Sequence, residues 1–405
     1  MGGIRWEDSS IEINGIMFGS VNSINSKYLT VLEKASQRVD TWKKRRLTML
    51  GKVRLINSCL YPLLYYVAPV FPPSNDIIVK FTRLAFSLLW GYPSPELVSR
   101  EVVMLDRAAG GLGLDNLRFK VDALLIKPLF TLFTGEVNAC NLIFSRFFLA
   151  QRLRILYPFV WSHSRPNSSE ITPTYKRISE IICIASGVDR LFYIKESVKE
   201  IVKLFCMDLN AIPLVERKTP SPEWPLRWKN TLNELLCHKL KEFSWKLLHG
   251  VLKTRVKLKG WGIGDGKCPF CKEQEDILHM FWGCKSCRTV LLWLDHVVST
   301  IYGVVSFSCD NLLLGTPIQN LSNGRWKHIW YLFCVTLRRM WKRRCNYIFE
   351  NRVTKNDEVI LNVKREITER IKLDFKRWTL TRFRKVWVRE SGLCSLNGDT
   401  LTFAI

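Results

Sequence analysis

This 405-residue sequence lacks any acidic stretch to offset its basic residues. Lys and Arg number 61 against 36 Asp and Glu, the formal net charge is +25, and residues 1–150, 151–265 and 266–405 are each net positive. Such an excess points to a polyanionic partner, nucleic acid before any other; a basic surface kept for solubility is the plainer alternative. Long apolar runs are also missing. The longest, Cys59 to Phe71, is interrupted by Pro62 and Pro69, too short and too broken for a membrane span, and reads as buried core. Met1 to Trp6 offers no apolar core of a secretory leader. Thirteen cysteines, an odd count, then fit a reducing intracellular compartment, nucleus or cytoplasm, in which metal binding is favoured over disulfides. No internal repeat is visible. With 47% hydrophobic and 12% aromatic residues, the chain has ample material for two to four globular domains.

The apolar spacing is mainly helical. Ile11, Ile13 and Ile16 around Gly15 predict a short strand pair, and its abrupt start raises the expectation of a part upstream. From Ser26, the residues Tyr28, Val31, Leu32, Ala35, Val39 and Trp42 share a helical face. Leu47 to Leu64 predicts a second helix, and Ser74-Asn75-Asp76 offers the N-cap of a third. Gly110-Gly111-Leu112-Gly113-Leu114 predicts a turn and lacks the Lys-Ser/Thr that would make it a phosphate loop. Residues 117–160 resume helical spacing, and 161–175 reads as an exposed loop. Thr219 to Pro225 is a second break, ahead of a helix carrying Leu232, Leu235, Leu236, Leu240, Phe243, Trp245 and Leu248. Residues 288–302 and 326–350 are amphipathic, 355–378 is a helix charged on most faces, and Val386–Val388 with Thr400–Ile405 predicts a closing strand pair.

The most specific chemistry lies in Cys268-Pro269-Phe270-Cys271, followed by His279 and Cys284. Thiolates and imidazole at this spacing neutralise and enclose a tetrahedral Zn2+, with Pro269 fixing the knuckle and the following amides free to donate to sulfur. Four protein ligands leave no position for water, so the metal is structural and not catalytic. Cys284 and Cys287 form a second C-x2-C, and Cys268, Cys271, Cys284 and Cys287 spell a four-cysteine ribbon; spacing alone does not separate the two sets. A helix starting near Glu275 would turn His279 and Cys284 toward the knuckle.

The run Phe243 to Arg255, the knuckle, Glu275, His279, Phe281, Cys284 and Trp293 together resemble the zinc-binding domain that follows the polymerase in LINE-type (non-LTR) retrotransposon reverse transcriptases. The resemblance implies His279 as the fourth ligand. Ile11 to Phe18, Arg38 to Lys43, Leu47 to Val53 and Gly110 to Leu117 are similar to the end of the palm and the thumb of those polymerases. Ile329-Trp330, Trp341 to Asn346 and Leu393 to Ser395 resemble the tail of the Tx-type group. The implied organisation is residual palm strands over 1–20, a thumb-like helical domain over 21–130, a helical linker over 131–222, the zinc domain over 223–300 and a basic helical C-terminal domain over 301–405. Those polymerases hold two metal ions with carboxylates that include an Asp-Asp pair, and this sequence has no Asp-Asp dipeptide. The implied protein is a nucleic-acid-binding fragment with no DNA synthesis of its own, acting on element RNA, primer-template or target DNA.

Candidate contacts to nucleic acid come from charge. Lys43, Lys44, Arg45, Arg46, Lys52 and Arg54 cluster at the junction of the first two helices. Arg338, Arg339, Lys342, Arg343 and Arg344 interleave with Trp330, Tyr331, Trp341 and Tyr347, which could stack on unpaired bases or simply belong to the core. Arg377, Arg382, Arg384, Lys385 and Arg389 form a third group. The rival reading is a domesticated or degenerate zinc-domain protein engaged in protein contacts.

Overall fold

The computed structural model describes residues 10–14, 16–19, 21–91, 94–134, 173–184, 197–207, 211–398 and 400–405. The expectations for residues 4–9, Gly15, 135–172 and Asp399 lie outside these. The described chain is mainly helical, with two antiparallel two-stranded sheets. It divides into two units: one made of residues 1–104 with 112–211, the other of 105–111 with 212–405.

In the first unit, β1 (Ser10–Ile13) and β2 (Ile16–Gly19) form the expected hairpin, with Ile13 opposite Ile16 and Phe18 edge-on to Phe71. Helix α1 (Val21–Lys43) buries Tyr28, Ala35 and Val39, the face anticipated from spacing, and α4 (Asn75–Trp90) packs beside it. Ser74 caps α4 by accepting from the Ile77 amide. The expected single helix from Leu47 to Leu64 is instead α2 (Met49–Leu55), a wide π turn over Ile56–Leu60 and α3 (Pro62–Tyr65). Pro62 has no N–H to continue the ladder, and the Tyr61 amide reaches back to the Ile56 carbonyl. Helix α5 (Arg100–Met104) leads to the glycine turn, whose second half is clamped by Asn57. That side chain donates to the Gly113 carbonyl and accepts from the Asp115 amide. Helices α6 (Leu117–Thr134), α7 (Pro173–Ile184) and α8 (Val198–Met207) complete this unit. Asp122 on α6, nearly buried, receives a two-pronged bond from Arg177 on α7 at 2.6 and 3.0 Å. Residues 173–175, expected in an exposed loop, instead open α7, with Pro173 at a position where its missing N–H costs nothing.

The longer segment of the second unit begins at Ile212, upstream of the expected boundary at 222/223. Helix α9 (Leu214–Lys218) belongs to this unit, since Glu216 accepts from the indole of Trp228. Of the helix expected to carry Leu232 to Leu248 only α11 (His238–Leu248) is helical; α10 (Trp224–Thr231) ends ahead of it and residues 232–237 form a turn between the two. Asn233 breaks them: its Oδ1 accepts from the Leu235 amide and its Nδ2 donates to the Lys327 carbonyl, so Leu235 and Leu236 are buried from a turn. Residues 105–111 reach into this unit. The Gly110 carbonyl accepts from Trp245 Nε1 at 2.9 Å and His249 Nε2 at 2.8 Å, among the stacked rings of Trp224 and Trp228. Burial pushes the His249 imidazole down to about 4, against a smaller upward pull from its bond to Gly110, so it stands neutral and donates from Nε2. Gly110 has φ +84°, and a Cβ there would meet the Trp228 ring at 2.7 Å. Gly110→Ala should therefore destabilise this unit by about 2–4 kcal/mol. Gly250→Ala, at φ +66° with open space around it, should cost only about 1 kcal/mol. Urea unfolding of the two variants makes the comparison.

The core is built around α15 (Asn323–Glu350), capped by the Ser322 hydroxyl and ended by Asn351 in the left-handed region. From His328 to Leu337 every side chain is buried, so this stretch is enclosed on all sides and is not amphipathic as expected. Around it pack α13 (Arg288–Tyr302), α14 (Cys309–Leu314, opened by a capping box at Ser308) and α16 (Asn356–Arg377). Helix α16 buries a narrow stripe, Val359, Val363, Ile367 and Ile371, each contributing about 1.5–3 kcal/mol, and leaves its charged faces outside. Short α17 (Leu380–Phe383) runs into a π turn over Arg384–Glu390. The expected terminal strand Val386–Val388 lies inside that turn, because the Trp387 side chain is needed in the core, where its indole donates to Asp374. The closing pair is β3 (Cys394–Asn397) with β4 (Thr400–Phe403).

Candidate metal centre

The centre is assembled from one loop and one turn of helix. After α12 (Arg255–Lys259) the chain enters a knuckle in which the Cys268 amide donates to the Glu273 carbonyl and the Lys272 amide returns to the Cys268 carbonyl. Lys272 takes a left-handed φ of 68° to close it. The Phe270 and Cys271 amides donate to the Cys268 sulfur, as expected of the amides that come after the first cysteine. The helical turn begins later than Glu275: Asp276 caps the His279 amide through Oδ1 at 2.6 Å, and a π turn spans His279–Gly283. Its closing bond, from the Cys284 amide to the His279 carbonyl at 2.8 Å, leaves Cys284 extended at the turn's end and brings it back to the same side as His279.

The result is a group of Cys268, Cys271, His279 and Cys284 whose ligand atoms all lie within 4.8 Å of one another. The Cys284 sulfur stands 3.8 Å from both Cys268 and Cys271. A tetrahedral ion with Zn–S bonds of about 2.3 Å sets its sulfurs about 3.8 Å apart, so the three sulfurs fit. Nε2 of His279 is 3.1 Å from the Cys271 sulfur, somewhat tighter than the about 3.5 Å of an ideal set. On the other side of the ring, Nδ1 faces Glu273 Oε2 at 3.3 Å, which directs Nε2 toward the sulfurs. Cys284 is held below the ordinary thiol range chiefly by the hydrogen bond it accepts from Cys268. That sharing raises Cys268. This mutual dependence of adjacent thiols is what a shared cation resolves. Cys287, the alternative ligand, is not in the group: it is buried with its sulfur donating to the Met280 carbonyl at 3.1 Å.

Glu275 carries more than its place in the sequence suggests. Wholly buried, it accepts from the Arg255 amide at 2.9 Å and from Arg344 Nε and a terminal nitrogen at 3.1 and 2.6 Å. Its own backbone bonds both Val256 and Gly266. It thereby ties α12, the knuckle and α15 into one body. In the sequence it is one of three carboxylates just ahead of His279, with Glu273 and Asp276, and its spacing of four from the histidine is all that marks it. Phe270 adds to the junction, lying 5.2 Å from the Tyr347 ring with the Arg343 guanidinium 4.5 Å above it.

These contacts correct the second basic cluster. Arg344 is buried at 1% exposure and spent on Glu275, Arg338 and Arg339 share Glu366, and Arg343 binds the Ser286 carbonyl and Asn356. Lys342 alone of the five is exposed. Trp330 and Tyr331 are sealed in the core, so neither ring can stack on a base. In the first cluster, Lys43, Lys44, Arg45, Arg46 and Arg54 are exposed as a group where α1 meets α2, with Lys43 near Asp40, whereas Lys52 donates to the Leu89 carbonyl at the end of α4. The third group, Arg377, Arg382, Arg384, Lys385 and Arg389, is exposed throughout, and Arg382 lies over the Trp378 ring.

Residues 213–293 match the family model for zinc-binding in reverse transcriptase. They form a zinc-binding region of the reverse-transcriptase kind. The chain is also 26% identical over 93 residues to the Transposon TX1 uncharacterized 149 kDa protein of Xenopus laevis. That match takes in 23% of this chain and 7% of the frog protein. Both likenesses support the LINE-type retrotransposon relationship. The matched region starts one residue into the longer segment of the second structural unit, and all four converging side chains fall inside it. Among the described residues, no helix is long and apolar enough to cross a membrane.

Proposed function

We propose that the chain holds one structural Zn2+ on Cys268, Cys271, His279 and Cys284, and that it serves as a nucleic-acid-binding part of a retrotransposon reverse transcriptase. On this reading it performs no polymerase chemistry itself. The observation that carries the reading is the Cys3His group fastened, through Glu275 and Arg344, to a strongly cationic helical body. Three thiolates leave the zinc complex with one net negative charge, which the adjoining Arg343 complements. The exposed cations at the α1–α2 junction and over 377–389 would hold phosphates without regard to sequence. Element RNA, primer-template and target DNA are the expected ligands.

Titrating labelled RNA hairpin and duplex DNA with the zinc-loaded chain tests this. Six or more phosphate contacts should weaken binding by about 1,000-fold between 50 and 200 mM salt. An affinity that stays flat across that range would defeat the reading, as would primer extension by the isolated chain for the non-catalytic part of it. A second reading, docking of another protein, is favoured by the exposed apolar side chains Leu278, Trp282 and Leu292 beside the centre. Salt-insensitive capture of protein together with absent RNA binding would decide for it.

A further inference from the structure

Five cationic side chains line a cleft of about 220 Å³ between α15 and α16: Arg339, Lys342, Arg343, Arg352 and Arg365, with Glu358 the one acid on its wall. Three of them are already partly paired, Arg352 with the cleft's own acid. Arg339 bonds Glu366 at 2.5 Å, Arg352 bonds Glu358 at 3.1 Å, and Arg343 donates one terminal nitrogen to Asn356 at 2.6 Å and to the Ser286 carbonyl at 3.1 Å. Lys342 and Arg365 are exposed and have no ion pair or hydrogen bond among the described residues, and the Arg343 Nε is buried there without an acceptor. The two open cations arrive from different helices, so their convergence is not a by-product of helical spacing. Like charges gathered in one concave place repel, and a compact anion removes the repulsion while supplying the missing acceptor. A cleft below about 300 Å³ is small for a drug-sized ligand and suits a group the size of a phosphate. Guanidinium forks on facing walls match its oxygens pairwise.

We propose that the cleft between α15 and α16 is a phosphate site that takes a backbone phosphate of a bound nucleic-acid strand. It rests on the nucleic-acid reading above and gives that reading an address distinct from the α1–α2 junction and the 377–389 group. Asn346 and Asn362 on the same walls add amide donors for the oxygens that the cations leave free.

The test compares the full zinc-loaded chain with two double variants, each losing two exposed cations: Lys342→Ala/Arg365→Ala in the cleft, and Lys229→Ala/Lys239→Ala elsewhere on the second unit. None of the four side chains makes an ion pair or hydrogen bond among the described residues, and bound zinc checks that each variant is intact. Anisotropy of a labelled RNA hairpin should show the cleft variant about 10-fold weaker at fixed salt, with a salt slope shallower by about 1–2, and the control changed about 2-fold at most. Equal losses in the two doubles overturn the cleft and spare the nucleic-acid reading; wild-type chain that binds no RNA overturns both. Inorganic phosphate supplies a second readout, raising Tm of the wild type and not of the cleft variant. A phosphate effect that the cleft variant loses, with RNA affinity unmoved by the same substitutions, rejects the strand and leaves a free phosphate site, whereas a phosphate effect kept by the variant overturns the cleft itself. Polyglutamate displacing RNA from the wild type as well as polyphosphate does would likewise reject it in favour of an acidic peptide.

Discussion

Purified chain should carry one equivalent of zinc and lose the fold of residues 254–287 when a strong chelator withdraws it. Apart from the Glu275–Arg344 tie and the buried Met280 and Phe281, little fixes the loop itself: its three sulfurs converge at distances where thiolates repel unless a cation joins them, and α12 is only five residues long. Structural zinc in such modules contributes on the order of 10–16 kcal/mol, far more than any single packing contact here. Replacing Cys268 or His279 with Ala should abolish stoichiometric zinc, measured by metal analysis after gel filtration. Cys287→Ala should keep it, since that sulfur faces the Met280 carbonyl. Zinc retained by His279→Ala and lost by Cys287→Ala would reverse the ligand assignment. Because the three sulfur ligands bind as thiolates, acidification should release the metal before the helices of the second unit melt, followed as free zinc against far-UV circular dichroism.

The second large effect belongs to the Glu275–Arg344 pair. Both side chains are essentially sealed from water, and the carboxylate also carries the Arg255 amide. Arg344→Met strands a buried carboxylate and should cost about 3–5 kcal/mol, seen as a fall in the urea midpoint. Glu275→Gln strands the guanidinium instead and should cost a similar amount, while the double variant Glu275→Gln/Arg344→Met should recover a large part of the loss, because no unpaired charge is left inside. Zinc affinity should fall together with stability in the single variants, since Glu275 fixes the backbone on both sides of the knuckle. Additive losses in the double variant would show that the two residues act independently. A phosphate-binding role for Arg344 predicts something different, a loss of RNA affinity at unchanged stability.

Local signals in the sequence hold where the structure is local. Ser74 caps α4, and Tyr28, Ala35 and Val39 share the inner face of α1, because each of these depends on residues within a few positions. Expectation and structure part where a distant partner sets the outcome. Leu232 to Leu248 carries unbroken helical spacing, yet Asn233 leaves the helix to bond the Lys327 carbonyl. Val386–Val388 has strand-like alternation, yet Trp387 is drawn into the core by Asp374. The basic cluster at 338–344 reads as a cationic stripe, and only the positions of Glu366, Glu275 and Ser286 reveal that four of its five members serve the fold.

The sequence by itself determined the helical class, the cationic balance and the presence of soft ligands at metal-binding spacing, since composition, periodicity and short spacings are properties of the chain alone. Spacing left the fourth ligand open between Cys287 and the His279 that the resemblance implied, and tertiary structure brings His279 to the three sulfurs; it alone decided which arginines are buried supports and which remain open to an anion. Those outcomes turn on where residues tens of positions apart are brought together, and burial of a charge depends on the partner that meets it there.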